Sequence, residues 1–439
     1  MHRAVTGHTP QRRRRGLQLS VLLATVAALV LSACSDGHSE VRSYAAAGWP
    51  MYGGNAAASN YTPTTVRDGV KLQWSRPTGG PITAPIALNN NGDVSITAQT
   101  QNGCNVFVFD NRDGRKQICK RMAQGVQFNA ALMDEYNQPF IGEQTMFLSY
   151  NGGGSIRWRM PVIGVPLSAR FTGPGRVLVT TTQGQLLLLN AQTSDFVAPE
   201  VRLRPNADPA QPLFGLGDCI TGGPQCAVPA PPAVDEAAQR IYLNFTPEGA
   251  KQSQVRAMSI GDHDGQPQIT NAWTASVGGG VVGPPTLSAD GKTVYTFGRD
   301  GKLYALNAGD GTQRWSYDLG GFGFATLAVS PDGTLIPTGS IGAPLTILKD
   351  AGTKAEQVVK RDDVQTVSLA AITGADSAWT VMRTGNDQHL ELIEVGTKDG
   401  ETKRTLELPG ATGFATGVAV SAAGAVAVAT NLGEVFYFN

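Results

Sequence analysis

Residues 283–321 constrain the fold of this chain more than any other stretch, because they form a unit that the rest of the sequence repeats. Four short apolar runs, at 284–287, 293–297, 303–306 and 313–317, are separated by turns carrying Asp-Gly at 290–291, 300–301 and 310–311. The runs are too short for helices and are bounded as strands are. Tight hairpins need a backbone of positive φ, which glycine adopts without a Cβ penalty. The unit is therefore predicted to be a four-stranded antiparallel sheet. A single sheet of this size leaves its faces uncovered, so copies must stack on one another.

Copies are present. Residues 184–191 repeat the pattern of 301–308, and 106–110 followed by Asp113-Gly114 repeat it more distantly. First strands are expected near Thr83, Gln127, Pro166, Pro229, Gly283, Ala325, Thr366 and Ala415, which makes eight units, most of them 39 to 54 residues apart. The last unit ends at Asn439 with three strands and no fourth. An orphan fourth strand at 71–76 precedes any first strand, so both ends of the chain are predicted to share one sheet and close a ring. Trp74, Trp158, Trp273 and Trp315 fall at or near one fourth-strand position and are expected to pack on the neighbouring unit.

The pattern Tyr-Ala-Leu-Asn-x-x-x-Gly-x-x-x-Trp, from Tyr304 to Trp315, resembles the blade motif of the PQQ-like, quinoprotein-type β-propellers. That group includes quinone-dependent dehydrogenases and BamB-like envelope lipoproteins. The run from Trp49 and Pro50 to Asn55 resembles the opening of the same propellers, and is expected to plug the seam or base rather than line a ligand site. The resemblance covers nearly all of the chain after the leader. It implies an all-β, eight-bladed propeller of four-stranded antiparallel blades over 49–439, with a Pro- and Gly-rich insertion at about 202–232. The related dehydrogenases use a disulfide between adjacent cysteines over the quinone, an acidic and amide set around a divalent metal, and an Asp base. No residues here match those, and no nucleophile elbow accompanies His38, His263 or His389. No catalytic, cofactor-binding or metal residues are therefore expected, and the fold is carried over without the chemistry.

Residues 1–33 are read as a lipoprotein signal peptide. Arg12 to Arg15 form a basic start, 17–31 a short apolar run, and Leu31-Ser32-Ala33-Cys34 a lipobox, which implies lipidation of Cys34. Residues 34–48 are expected to be the anchor and a flexible tether. The leader removes five arginines and no acidic residue, so of 35 basic residues 30 remain against 35 acidic. A mildly acidic surface argues against a nucleic-acid partner. Beyond Cys34 there are four cysteines, an even number in an exported chain, and the local pairings Cys104–Cys119 and Cys219–Cys226 are expected. The expected function is an interaction scaffold without a cofactor, at the cell membrane or outer membrane, with envelope or membrane proteins as partners. The alternative is a ligand-binding sensor or quinone-dependent oxidoreductase using the propeller funnel, with Trp49 and the insertion around Cys219 as lids.

Overall fold

The strands expected for 283–321 form in register. Val281–Leu287, Thr293–Gly298, Lys302–Asn307 and Gln313–Asp318 pair in chain order as an antiparallel sheet. The structure is a computed structural model that describes residues 1, 41–321, 323–339, 342–385 and 388–439; Cys34, His38 and the signal peptide lie outside them. The same four-stranded sheet recurs as blade 1 (87–120), blade 2 (132–161), blade 3 (170–202), blade 4 (233–275), blade 5 (281–318), blade 6 (326–366) and blade 7 (371–407). Blades 6 and 7 touch through the bridge Thr366–Met382. Blade 8 takes Ala415–Val420, Val426–Thr430 and Glu434–Phe438 from the end of the chain, and its outer strand, Leu72–Pro77, from the beginning. Trp74 lies opposite Tyr437 and Arg76 opposite Val435, so the ring is closed by backbone pairing between the two ends. The fold is the expected all-β, eight-bladed propeller.

The recurring tryptophan and glycine have one physical explanation. Each of the four tryptophans reaches the next blade and donates its indole N–H to the turn before that blade's outer strand. Trp74 donates to the Asn111 carbonyl at 3.0 Å, Trp158 to Ala191 at 3.1 Å, and Trp273 to Ala308 at 2.9 Å. Trp315 donates to the Asp350 carboxylate at 3.1 Å. The indole lies against that turn, where a side chain has no room. A Cβ on Gly311 would sit 2.5 Å from the Trp273 ring, and one on Gly114 would sit 2.8 Å from Trp74. Val359 replaces the tryptophan in blade 6 and packs in the same way beneath Gly400.

The segment before the first blade is not free. It crosses the end of the propeller where the innermost strands finish and bonds to blade after blade. The carbonyls of Trp49, Pro50, Ala56, Ala57, Ser59 and Asn60 accept from the amides of Leu88, Met133, Val234, Leu287, Val329 and Ile372, at 2.7 to 3.0 Å. Blade 3 is tied through Gly175 N–H to the Ser43 carbonyl, and blade 8 through Arg67 N–H to the Gly424 carbonyl. All eight blades are thus bonded to one strap, which satisfies edge amides that would otherwise need solvent. The tether expected to run to residue 48 is correspondingly shorter. Ser43 and Ala46 are buried, Ala46 donates to Met133, and the compact unit begins at Arg42. Small residues let this stretch lie flat on the blades, a contact that depends on backbone bonds and not on hydrophobic pattern.

Candidate functional site

The strap closes one end of the axis, and a funnel opens at the other. Its walls are the residues that lead into the innermost strands. Thr83 and Pro85 come from blade 1, Phe128 from blade 2, Leu167 from blade 3 and Pro231 from blade 4. Pro284, Thr326, Ser368 and Thr416 complete the circle. These walls enclose adjoining pockets of about 240, 320 and 670 Å³. Among the described residues, every side chain lining them is uncharged: apolar, hydroxyl or amide.

The floor is Tyr52, which the strap carries to the axis. Trp49, the aromatic residue singled out from the sequence, is buried between blades in the main hydrophobic cluster and packs against Gly54, as the plug reading expects. Behind Tyr52 lies Arg170, on the innermost strand of blade 3 and fully buried. Its Nε donates to the Pro232 carbonyl at 2.9 Å, and its guanidinium carbon stands 5.7 Å from the centre of the Tyr52 ring. Nη1 and Nη2 have no hydrogen-bond partner among the described residues. Burial lowers the Arg170 pKa to about 10 and raises that of the Tyr52 phenol to about 12, against the opposing influence of the arginine charge. The phenol therefore keeps its proton at neutral pH. Tyr52 belongs to the Trp49 to Asn55 run and, unlike Trp49, lines the funnel instead of plugging the seam, a departure from the expectation for that run. Arg170 has no motif around it, so sequence pattern alone did not single it out.

The lid is the insertion. Between blades 3 and 4 it forms a short helix, Leu216–Thr221, whose Leu216, Cys219 and Ile220 face the funnel. Cys219 is bonded to Cys226 with Cα atoms 4.9 Å apart, and the structure also carries Cys104–Cys119, with Cα atoms 5.3 Å apart. Arg204 clamps the base of the insertion. It donates to the carbonyls of Pro224, Gln225, Cys226 and Thr246, at 2.6 to 3.4 Å. Outside the clamp a cleft of about 430 Å³ runs between Phe214 and the blade 4 turn at 248–251.

The chemistry of this lining does not fit the quinone-and-metal set of the dehydrogenases. No carboxylate is present among the described lining residues to hold a divalent ion or act as base, and neither disulfide joins adjacent cysteines. His263 is in an exposed turn beside Asp264, and His389 bonds Thr384 on the outer part of blade 7.

Fold and repeat together define a closed β-propeller of the PQQ-like type, strapped at one end and open to solvent at the other. Residues 251–402 match a family model described as "Outer membrane protein assembly factor BamB". The chain is 35% identical over 413 residues to Protein Rv3035 of Mycobacterium tuberculosis (strain ATCC 25618 / H37Rv), covering 93% of this chain and 100% of that protein. It belongs to that family of PQQ-like, BamB-like propellers. Among solved structures, BamB from Moraxella catarrhalis superposes with a TM-score of 0.57 at 13% identity, over 84% of this chain and 99% of that one. Quinohemoprotein alcohol dehydrogenase from Comamonas testosteroni superposes with a TM-score of 0.63 at 12% identity, over 89% and 80%. At such identities these two share the fold with this chain.

Proposed function

We propose that this protein is a non-catalytic interaction scaffold of the bacterial envelope, held at a membrane by lipid on Cys34, and that the insertion is its principal contact surface. The observation that carries this reading is the clamped insertion. A disulfide and the Arg204 clamp hold it in place, yet it leaves Phe214 about half exposed and Ile220 about two-thirds exposed. Exposed apolar side chains on a rigid loop favour protein contact. The funnel lining agrees with this reading, since among the described residues it holds no carboxylate, histidine or lysine to serve as a general base or metal ligand. The family model's description, which concerns outer-membrane protein assembly, agrees with an envelope setting.

Confinement at a membrane raises the effective concentration of membrane-bound partners, so contacts of modest affinity suffice.

The test is cross-linking in intact cells, comparing wild type with a Phe214→Glu, Ile220→Glu double variant and with Cys34→Ser. The double variant is expected to lose envelope proteins captured by wild type while folding normally, and Cys34→Ser is expected to leave the membrane fraction. Capture unchanged in the double variant would remove the insertion from the reading. Oxidation of an alcohol or sugar by the purified protein with quinone and calcium, abolished by a point change in the funnel, would replace the scaffold with an enzyme.

A further inference from the structure

We infer that Tyr52 and Arg170 form an anion-recognising floor at the bottom of the axial funnel, and that the funnel takes a small organic carboxylate. The argument begins with an imbalance of charge. Arg170 is fully buried, and its one hydrogen bond is to a neutral carbonyl. Nη1 and Nη2 are left without partners among the described residues. A buried guanidinium in this state is costly unless an anion or a set of acceptors compensates it. No ion pair joins Arg170 to a carboxylate among the described residues, and the Tyr52 ring is the group that faces its charge. Blades 1, 4, 6 and 7 carry alanine one residue before the amide that bonds the strap: Ala87, Ala233, Ala328 and Ala371. Blades 2 and 5 carry Leu132 and Thr286 there, and blade 3 carries Arg170 at the corresponding register of its innermost strand, the one charged residue among these positions.

Tyr52 transmits that charge to the funnel. Its ring stands against the guanidinium, and its side chain lines two of the axial pockets. A cation behind the ring polarises the phenol and makes its O–H a stronger donor to an acceptor arriving from the funnel. A small swing of the Tyr52 side chain would open the guanidinium itself, whose paired N–H groups match the two oxygens of a carboxylate.

The walls set the rest of the ligand. With one cation at the floor and an otherwise uncharged lining, a monoanion leaves the site neutral, whereas a phosphate dianion leaves it negative. Phe128, Leu167 and the prolines favour an apolar body, and the hydroxyl and amide side chains tolerate neutral polar substituents. Leu216 and Ile220 of the insertion helix border the mouth and add apolar surface on one side of it.

The experiment uses the full propeller and benzoate as the probe, with benzamide as its neutral isostere and inorganic phosphate as the third arm. Binding is read by calorimetry and by the thermal shift. Benzoate is expected to bind wild type saturably and at least tenfold more tightly than benzamide or phosphate. Arg170→Met is expected to weaken benzoate at least tenfold, and Tyr52→Phe severalfold. Should Arg170→Met fail to fold, Tyr52→Phe carries the test alone. Equal affinity for benzoate and benzamide, phosphate binding as tight as benzoate, no saturable benzoate binding, or unchanged binding in the variants would each overturn the inference. Partner capture through the insertion is a separate measurement, so failure of one leaves the other standing.

Discussion

Gly311 and Trp273 show how a single position can carry a whole interface. Gly311 has φ of +77°, and any Cβ there meets the indole of the preceding blade at 2.5 Å. Gly311→Ala is expected to destabilise by about 2–4 kcal/mol through strain and overpacking together. Trp273→Ala should cost about 3–5 kcal/mol. Because both changes break one contact, the double variant should fall well short of their sum in chemical denaturation. Asp134 offers a pH test. It is buried under the strap; its Oδ1 accepts from Tyr136 and Gln138, while Oδ2 has no partner among the described residues. Burial raises its pKa from 3.8 to about 6, against the lowering effect of those backbone bonds. A raised carboxyl contributes stability that is full below about pH 4 and is lost as pH rises through 6. Asp134→Asn should therefore gain on wild type between pH 4 and pH 7, by on the order of 2 kcal/mol after allowance for solvent screening. The depressed carboxyls of Asp110 and Asp332 are common to both proteins and cancel in the difference. Parallel stability curves over that range would remove Asp134 as the cause.

At the scale of elements, the insertion and the strap behave oppositely with respect to sequence pattern. The insertion broke the repeat and was visible for that reason, along with its two cysteines. Its helix and its anchor were not, because Leu216–Thr221 is too short to show periodicity and Arg204 bonds carbonyls, which have no sequence signature. Arg204→Ala should free the insertion while leaving the blades intact. The measurement is limited proteolysis: cleavage within 205–225 should accelerate about tenfold or more, with little change in the main unfolding transition. If cleavage is unchanged, the disulfide alone holds the loop.

The whole molecule is a ring, and its stability depends on closure. Strand Leu72–Pro77 completes blade 8, with Trp74 stacked on Tyr437 at 5.2 Å between ring centres. Deleting 71–77 opens an unpaired edge and removes the indole from the blade 1 turn at once. The expected result is a large fall in melting temperature with aggregation, much greater than for deletion of the exposed 248–251 turn. Near-wild-type melting would mean that the blades hold the ring without the closing strand. Removing 42–67 is expected to weaken all eight blades, because the strap bonds each of them.

Repetition is why so much of this fold was legible. Turn glycines, strand length and the tryptophan spacing are local properties repeated along the chain, and stacking follows from what one sheet cannot bury. The blade count and the sharing of blade 8 by both chain ends came from that arithmetic. The tertiary structure decided what depends on meetings between distant residues through backbone atoms or single side chains. The strap lies where it does because carbonyls at 49–60 face amides up to 312 residues away, as from Asn60 to Ile372, and amides look alike in any sequence. Arg170 in a short strand reads as an ordinary exposed cation until the fold buries it behind Tyr52, with no ion pair to a carboxylate among the described residues.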